Sequence, residues 1–295
     1  MSRLYSIAGI SKQGFHQALE RELRGKEEQA QLEKIIRTIR KDHPRMGCRQ
    51  LYDKIHPASM GRDRFEAFCK QRGFYLPIER RFRATTDSRG VPRVPNLLHM
   101  MDQIQRVNQV WVSDITYFEL NGRFCYLTLI QDLFSREIVG HQASMDLSTV
   151  NTTLSALRRA IAKRGITPQD QVILHSDGGG QYFAKDFLST CKQYGIRSSR
   201  AEDVYDNAHA ERLNRTIKND YLIPYAPASF EELTKMLTKA VGLYNCARPH
   251  RSIGKYQPEE FARLTSAGLL TKTLVINKRK KEAKKEKVNI FMRMI

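Results

Sequence analysis

Cysteine is scarce and scattered in this chain. Cys48, Cys69, Cys125, Cys191 and Cys246 form no CxxC pair, and no histidine cluster completes a zinc spacing. A disulfide scaffold and a zinc finger are therefore not expected, and free thiols in a reducing compartment are. No apolar run approaches the roughly 18 residues of a membrane span. The opening MSRLYSIAGISKQG lacks the apolar stretch of a secretion signal, so a cytoplasmic protein is expected. Neither a P-loop, nor a dinucleotide fingerprint, nor a nucleophile elbow occurs, which removes the usual sequence marks of nucleotide-driven, hydride-transfer and serine-hydrolase chemistry. Acid is the charge in short supply: 31 Asp and Glu face 50 Lys and Arg in 295 residues, a net charge of +19. Such an excess suits a polyanion, because every Lys or Arg set against a phosphate releases counterions.

Apolar residues at helical spacing dominate the first part of the chain. Leu4, Ile7 and Ile10, then Phe15, Leu19 and Leu23, predict short helices over 3–25, with Ser11 as an N-cap and a helix-turn-helix pattern. Leu32, Ile35, Ile36 and Ile39 predict a helix over 27–41. HPRMGCRQLYDKI (43–55) turns at Pro44 and Gly47 into another, and GRDRFEAFCKQRG (61–73) predicts a further one. Residues 1–78 thus read as a helical, DNA-binding region, and 79–106 as a basic linker carrying Arg80, Arg81, Arg83, Arg89 and Arg93 between prolines. A basic tail occupies 266–295, densest at KRKKEAKKEK, and reads as a solvated run or a DNA tether.

Between them the periodicity changes. WVSDITYF (111–118) and RFCYLTLIQDLF (123–134) alternate like strands about an Asn121-Gly122 hairpin signal, and REIVGHQAS continues as a third strand. A helix over 148–164, a buried strand VILH, a helix over 183–194, a short strand at 196–200 and a helix containing Glu211 follow. That order predicts an α/β, RNase H-like mixed sheet over 107–222, with a C-terminal helical extension over 223–265. Each of three strings places one acid where chemistry can use it: Asp114 in a strand, Asp177 at a strand end before three glycines, and Glu211 in a helix. Carboxylates that converge repel one another unless a cation lies between them. Hard oxygen donors select Mg²⁺ or Mn²⁺.

WVSDITY, HSDGGGQY, YDNAHAERLNRTIK and YNCARPHRSIGKYQPEEF, in that order, resemble the catalytic subunit of the two-frame bacterial insertion-sequence transposases, within the Asp-Asp-Glu transposase and retroviral integrase superfamily. HPRMGCRQLYDKI resembles the helical region ahead of the core in the same family, so most of the chain is covered. The resemblance implies that Asp114, Asp177 and Glu211 bind two Mg²⁺ ions, with Mn²⁺ as a substitute. It implies cleavage at the ends of an element and transfer of the freed 3′-OH to another strand. Double-stranded DNA, a homo-oligomer on it, and an upstream-frame protein or fusion are the implied partners, and no membrane is involved. The gap from Asp177 to Glu211 is slightly shorter than the family pattern, and Asp203 and Asp206 are nearby rivals for the third acid. Lys218, two turns past Glu211, is the expected phosphate contact, and Arg215, Asn207, Gln181, Arg248 and His250 are further expected DNA contacts, with Tyr182 beside Gln181. His175 reads as a sheet residue. The alternatives are a DNA-binding regulator or decayed transposase without catalysis, and an RNase H-type nuclease.

Overall fold

The computed structural model describes Gly9 and residues 11–76, 94–202 and 207–275. The chain divides into two compact units, Met1–Pro77 and Ile78–Ile295. Most of the expected basic linker and tail, and the rival acids Asp203 and Asp206, lie outside the described residues.

In the first unit, α1 (Lys12–Asp42) is a single helix of 31 residues. Ser11 caps it as expected, its Oγ accepting from Gly14 N at 2.9 Å. The break expected near Gly25, between helices at 3–25 and 27–41, is absent. One internal glycine costs only about 1 kcal/mol. Its flanks are strong helix formers joined across it by the Glu22–Lys26 pair at 2.7 Å, so the helix runs through. Residues 3–8 and 10 of the expected helix-turn-helix lie outside the described residues. The second half of α1 packs on α2 (Cys48–Ile55) and α3 (Arg62–Gln71). Leu32, Ile36, Met46, Leu51, Phe65, Phe68 and Cys69 form the core between them.

The second unit is built on seven strands among its described residues. β1 (Gln103–Ile104) pairs antiparallel with β7 (Leu274–Val275), and the other five form one sheet. These are β2 (Val110–Leu120), β3 (Arg123–Asp132), β4 (Ile138–Ser144), β5 (Ile173–Ser176) and β6 (Arg197–Arg200), in the order β4-β3-β2-β5-β6. The first three are an antiparallel meander; β5 runs parallel to β2, and β6 to β5. This is the RNase H-like topology. The turn between β2 and β3 uses Asn121 and Gly122, both at positive φ (50° and 74°), the combination whose twist matches a two-residue hairpin. Every residue of β5 is buried, as befits a strand covered on both faces.

On one face lie α4 (Ser155–Arg164) and α5 (Lys185–Gln193), packed around Trp111, Ile130, Val139 and Leu174. Helix α4 rests directly on the sheet at Gly140, where an added Cβ would stand 3.0 Å from that of Ala160. On the other face α6 (Ala208–Thr216) continues through a π-helical stretch, Ile217–Leu222, and meets α7 (Phe230–Ala247). Their apolar sides join Leu127, Leu129 and Ile138 in a second core. Helix α8 (Pro258–Ser266) adds Phe261 to a third cluster at the ends of β2 and β5.

Candidate active site

Strand register brings the first two acids together. In the parallel pair of β2 and β5, Ser113 stands opposite Ser176, so Asp114 and Asp177 occupy the next rung on neighbouring strands. Neighbouring strands lie about 4.8 Å apart. The third acid arrives on α6, which two asparagines fix to β2. Asn207 Nδ2 donates to the Ser113 carbonyl at 3.0 Å, and Asn214 Nδ2 donates to Asp114 Oδ2 at 2.9 Å. Asn207 stands just ahead of the helix and Asn214 within it. Glu211 lies between them and is itself exposed.

Electrostatics agree with this convergence. Burial, then the charge of Asp177 and more weakly that of Glu211, push the Asp114 carboxyl up to about 8, against the opposing hydrogen bond from Asn214. Burial also raises Asp177, while the Gly179 N–H and the charge of Arg200 hold it down. The Tyr182 hydroxyl is raised well above its ordinary value by burial and by the same two aspartates. Asp114 is thus within charge range of both other acids. The three are not within common ligand range: among the described residues, no group of three or more His, Cys, Asp and Glu side chains is tight enough to hold a metal ion.

Asp114 therefore binds its proton more tightly in the folded chain than in the unfolded one. Its stabilising contribution is complete below the ordinary carboxylate pKa of about 3.9 and is lost as pH rises through the folded value of about 8. In EDTA, the wild type is expected to lose stability from about pH 5 to pH 8.5. Asp114→Asn should flatten that loss and gain on the order of 2 kcal/mol at the alkaline end. Urea melts across this range check it; equal slopes for the two proteins would count against the charge coupling.

Arg200 is a site residue without a signal in the sequence. It pairs with Ser176 across β5 and β6, one position before Asp177. Its side chain lies over Gly178, which has φ +88°: an added Cβ would overlap Nε and stand 2.9 Å from Cδ. Of the three consecutive glycines, Gly178 alone is required by space and by φ together; nothing lies within 4 Å of a Cβ at Gly180. Asn214 also escaped notice, since an asparagine inside a helix carries no mark of its partner. Tyr182 is buried beneath the acids, its hydroxyl 2.8 Å from Ser113 Oγ. His175 is a sheet residue, with Nδ1 2.9 Å from Ser199 Oγ.

The expected DNA contacts divide by placement. Arg215 is exposed and has no partner among the described residues. Lys218 is half-buried: Nζ donates to the Tyr117 carbonyl at 2.7 Å and lies 4.7 Å from the Tyr117 ring centroid. Gln181 Nε2 donates to the Leu147 carbonyl at 3.2 Å. Asn207 is buried and occupied by β2, not by its own helix end. Arg248 and His250 turn inward. Arg248 is 7% exposed and pairs with Asp220 at 2.7 Å, and the His250 ring packs edge-on against Tyr244 at 4.7 Å. Burial and the charges of Arg248 and Arg136 hold His250 down at about 3, so it is neutral at ordinary pH. Nearby, Asn245 forms two hydrogen bonds with the backbone of Ile138, at 2.8 and 2.9 Å. This string therefore fastens α7 to the edge strand β4.

Comparison with known proteins follows the same core. Residues 104–203 match a family model described as integrase core domain, and residues 193–258 match a second model of that description. The chain is 31% identical over 264 residues to an uncharacterized 31 kDa protein of insertion element IS600 from Shigella sonnei, covering 86% of this chain and 96% of that one. It is 30% identical over 175 residues to the transposase for insertion sequence element IS904 from Lactococcus lactis, covering 58% and 68%. It is 29% identical over 199 residues to the transposase InsF for insertion sequence IS3A from Escherichia coli K12, covering 66% and 68%. Among solved structures, the HTLV-2 integrase catalytic core domain in complex with magnesium aligns with a TM-score of 0.45 at 21% identity, over 53% of this chain and 97% of that one.

Proposed function

We infer the chemistry from membership: the chain belongs to the insertion-sequence transposases of the retroviral integrase superfamily, and it is a DNA strand-cleaving and strand-transfer enzyme. In this reading Asp114, Asp177 and Glu211 are its catalytic carboxylates and hold two divalent cations, Mg²⁺ or Mn²⁺. The observation that carries it is placement: Asp114 on a strand lies one rung beyond the Ser113–Ser176 pair, beside Asp177 at the adjoining strand end, and the helix bearing Glu211 is fastened to Asp114 through Asn214, with the charges of both other acids acting on Asp114. The donor set fits hard divalent ions by its chemistry: all oxygen, with Asp114 holding a proton that a cation would displace.

Two such ions, when bound, lower the pKa of an attacking hydroxyl and stabilise the leaving oxygen in phosphodiester exchange. The protein's own groups have separable tasks. Asn214 fixes the rotamer of Asp114 through its amide. The Gly179 N–H, donating to Asp177 Oδ1 at 3.2 Å, orients the second acid, with Arg200 beside it. Glu211 is exposed on α6, and its charge acts on Asp114. Arg215, and Lys218 after exchange of the Tyr117 carbonyl for a phosphate, guide the DNA strand. Asn207, Arg248 and His250 act by holding the scaffold. Element ends and target DNA are the substrates, and uniting two ends requires at least two protomers. An upstream-frame protein, or fusion to it, supplies end recognition. The core is assigned to 107–222 and its helical extension to 223–265, with DNA binding by 1–78.

A readout independent of turnover tests the metal assignment. At pH 8, Mg²⁺ or Mn²⁺ should raise the melting temperature of the DNA-free wild type in proportion to RT ln(1 + [M]/Kd). Asp177→Asn should lose most of that rise. An equal rise in both proteins would move the metal site elsewhere.

A further inference from the structure

The first unit contains a recess of about 460 Å³ lined by Arg37, Arg40, Lys41, Arg72, Gly73 and Phe74. Three of its four cations come from the last turns of α1, at positions i, i+3 and i+4, and therefore share a face. The fourth, Arg72, stands at the C-terminal end of α3. Phe74 is its buried floor, with the Arg37 and Arg40 guanidinium carbons 5.2 and 5.7 Å from the ring centroid. Arg40 is structural. It donates to the carbonyls of Met46 and Phe74, and burial lowers its pKa.

The other three cations are exposed, and one carboxylate answers them. Glu33 lies 3.2 Å from Arg72 and 4.0 Å from Arg37, and Lys41 has no partner among the described residues. The C-terminal ends of two helices offset roughly half a charge each, which leaves a net positive surplus in a small space. We propose that this recess binds backbone phosphates of duplex DNA, independently of base sequence. The proposal rests on the transposase reading for its choice of polyanion. The planar Arg37 guanidinium over the Phe74 ring suits the paired oxygens of a phosphodiester, and Lys41 adds a point charge. No base edge is read by such an arrangement.

The test uses the full chain with Arg37→Gln and Lys41→Gln combined, and measures DNA affinity against salt on an element-end duplex and a scrambled duplex. Each phosphate that the variant no longer neutralises should make the slope of log K against log salt shallower by about 0.9. A change of about 2 units, equal on both duplexes, is expected. The charge-preserving exchange Arg37→Lys with Lys41→Arg should retain the wild-type slope, which separates charge from folding. An unchanged slope in the neutral variant overturns the proposal, and so does a loss confined to the element end, which would mean base reading. Calorimetry with inorganic phosphate at matched ionic strength supplies a further arm. Loss of phosphate binding in the variant with an unchanged DNA slope would make the recess a small-anion site and overturn the proposal. Asp177-dependent nicking is scored in parallel: a shallower slope without any nicking sinks the transposase reading alone, and nicking with an unchanged slope sinks this inference alone.

Discussion

Asp177→Asn is expected to lower strand cleavage and strand joining by at least about 10³-fold, a barrier increase of about 4 kcal/mol, while DNA affinity stays within about twofold. The substitution is nearly isosteric and keeps an oxygen that can accept from the Gly179 N–H. What it removes is the carboxylate charge of Asp177, and with it much of the attraction for divalent cations. It also removes the main neighbouring charge acting on Asp114, whose carboxyl should fall below about 8 while burial still holds it above the ordinary range. The variant should therefore be folded and at least as stable as the wild type in EDTA. Gel analysis of end-labelled duplex checks the rates, and wild-type cutting by the variant would remove Asp177 from the site.

Arg248→Leu is expected to destabilise the second unit by about 3 kcal/mol, because it leaves Asp220 facing a buried partner site without its counter-ion. The guanidinium also stands 5.8 Å from the Tyr221 ring centroid, within the packing that joins the π-helical stretch to α7. A loss of this size corresponds to a melting shift of roughly 6–12 °C in a unit of this length. DNA affinity per folded molecule should not change. If Arg248→Leu melts like the wild type but binds DNA several-fold more weakly, Arg248 belongs on the nucleic-acid surface after all.

The central sheet was legible in the sequence because its signals are local. Asn121-Gly122 announces a hairpin, alternation marks β2 and β3, and a short apolar run marks β5. Asp114, Asp177 and Glu211 stood out by their strings and by a family resemblance that the comparisons support. What escaped was set by contacts between distant segments. Arg200 reaches Gly178 only because β5 and β6 are parallel in one particular register, which no residue near Arg200 reports. Asn214 looks like an ordinary helix-surface amide until α6 is laid across β2, and Asn207, expected at the DNA, donates to β2. The inward turn of Arg248 and His250 depends on Asp220 and Tyr244, and a basic string on a basic protein reads more readily as a DNA contact. Continuity of α1 through Gly25 is the opposite case: a local signal was present and its cost was too small to break the helix.

The most direct measurement is nicking and joining of labelled DNA carrying the element's ends, in Mg²⁺ and in EDTA, for wild type, Glu211→Gln and Asp203→Asn. Metal-dependent nicking followed by joining is expected in the wild type, with loss of both in Glu211→Gln and retention of both in Asp203→Asn. Activity in EDTA, or loss in Asp203→Asn with activity kept in Glu211→Gln, would contradict this expectation.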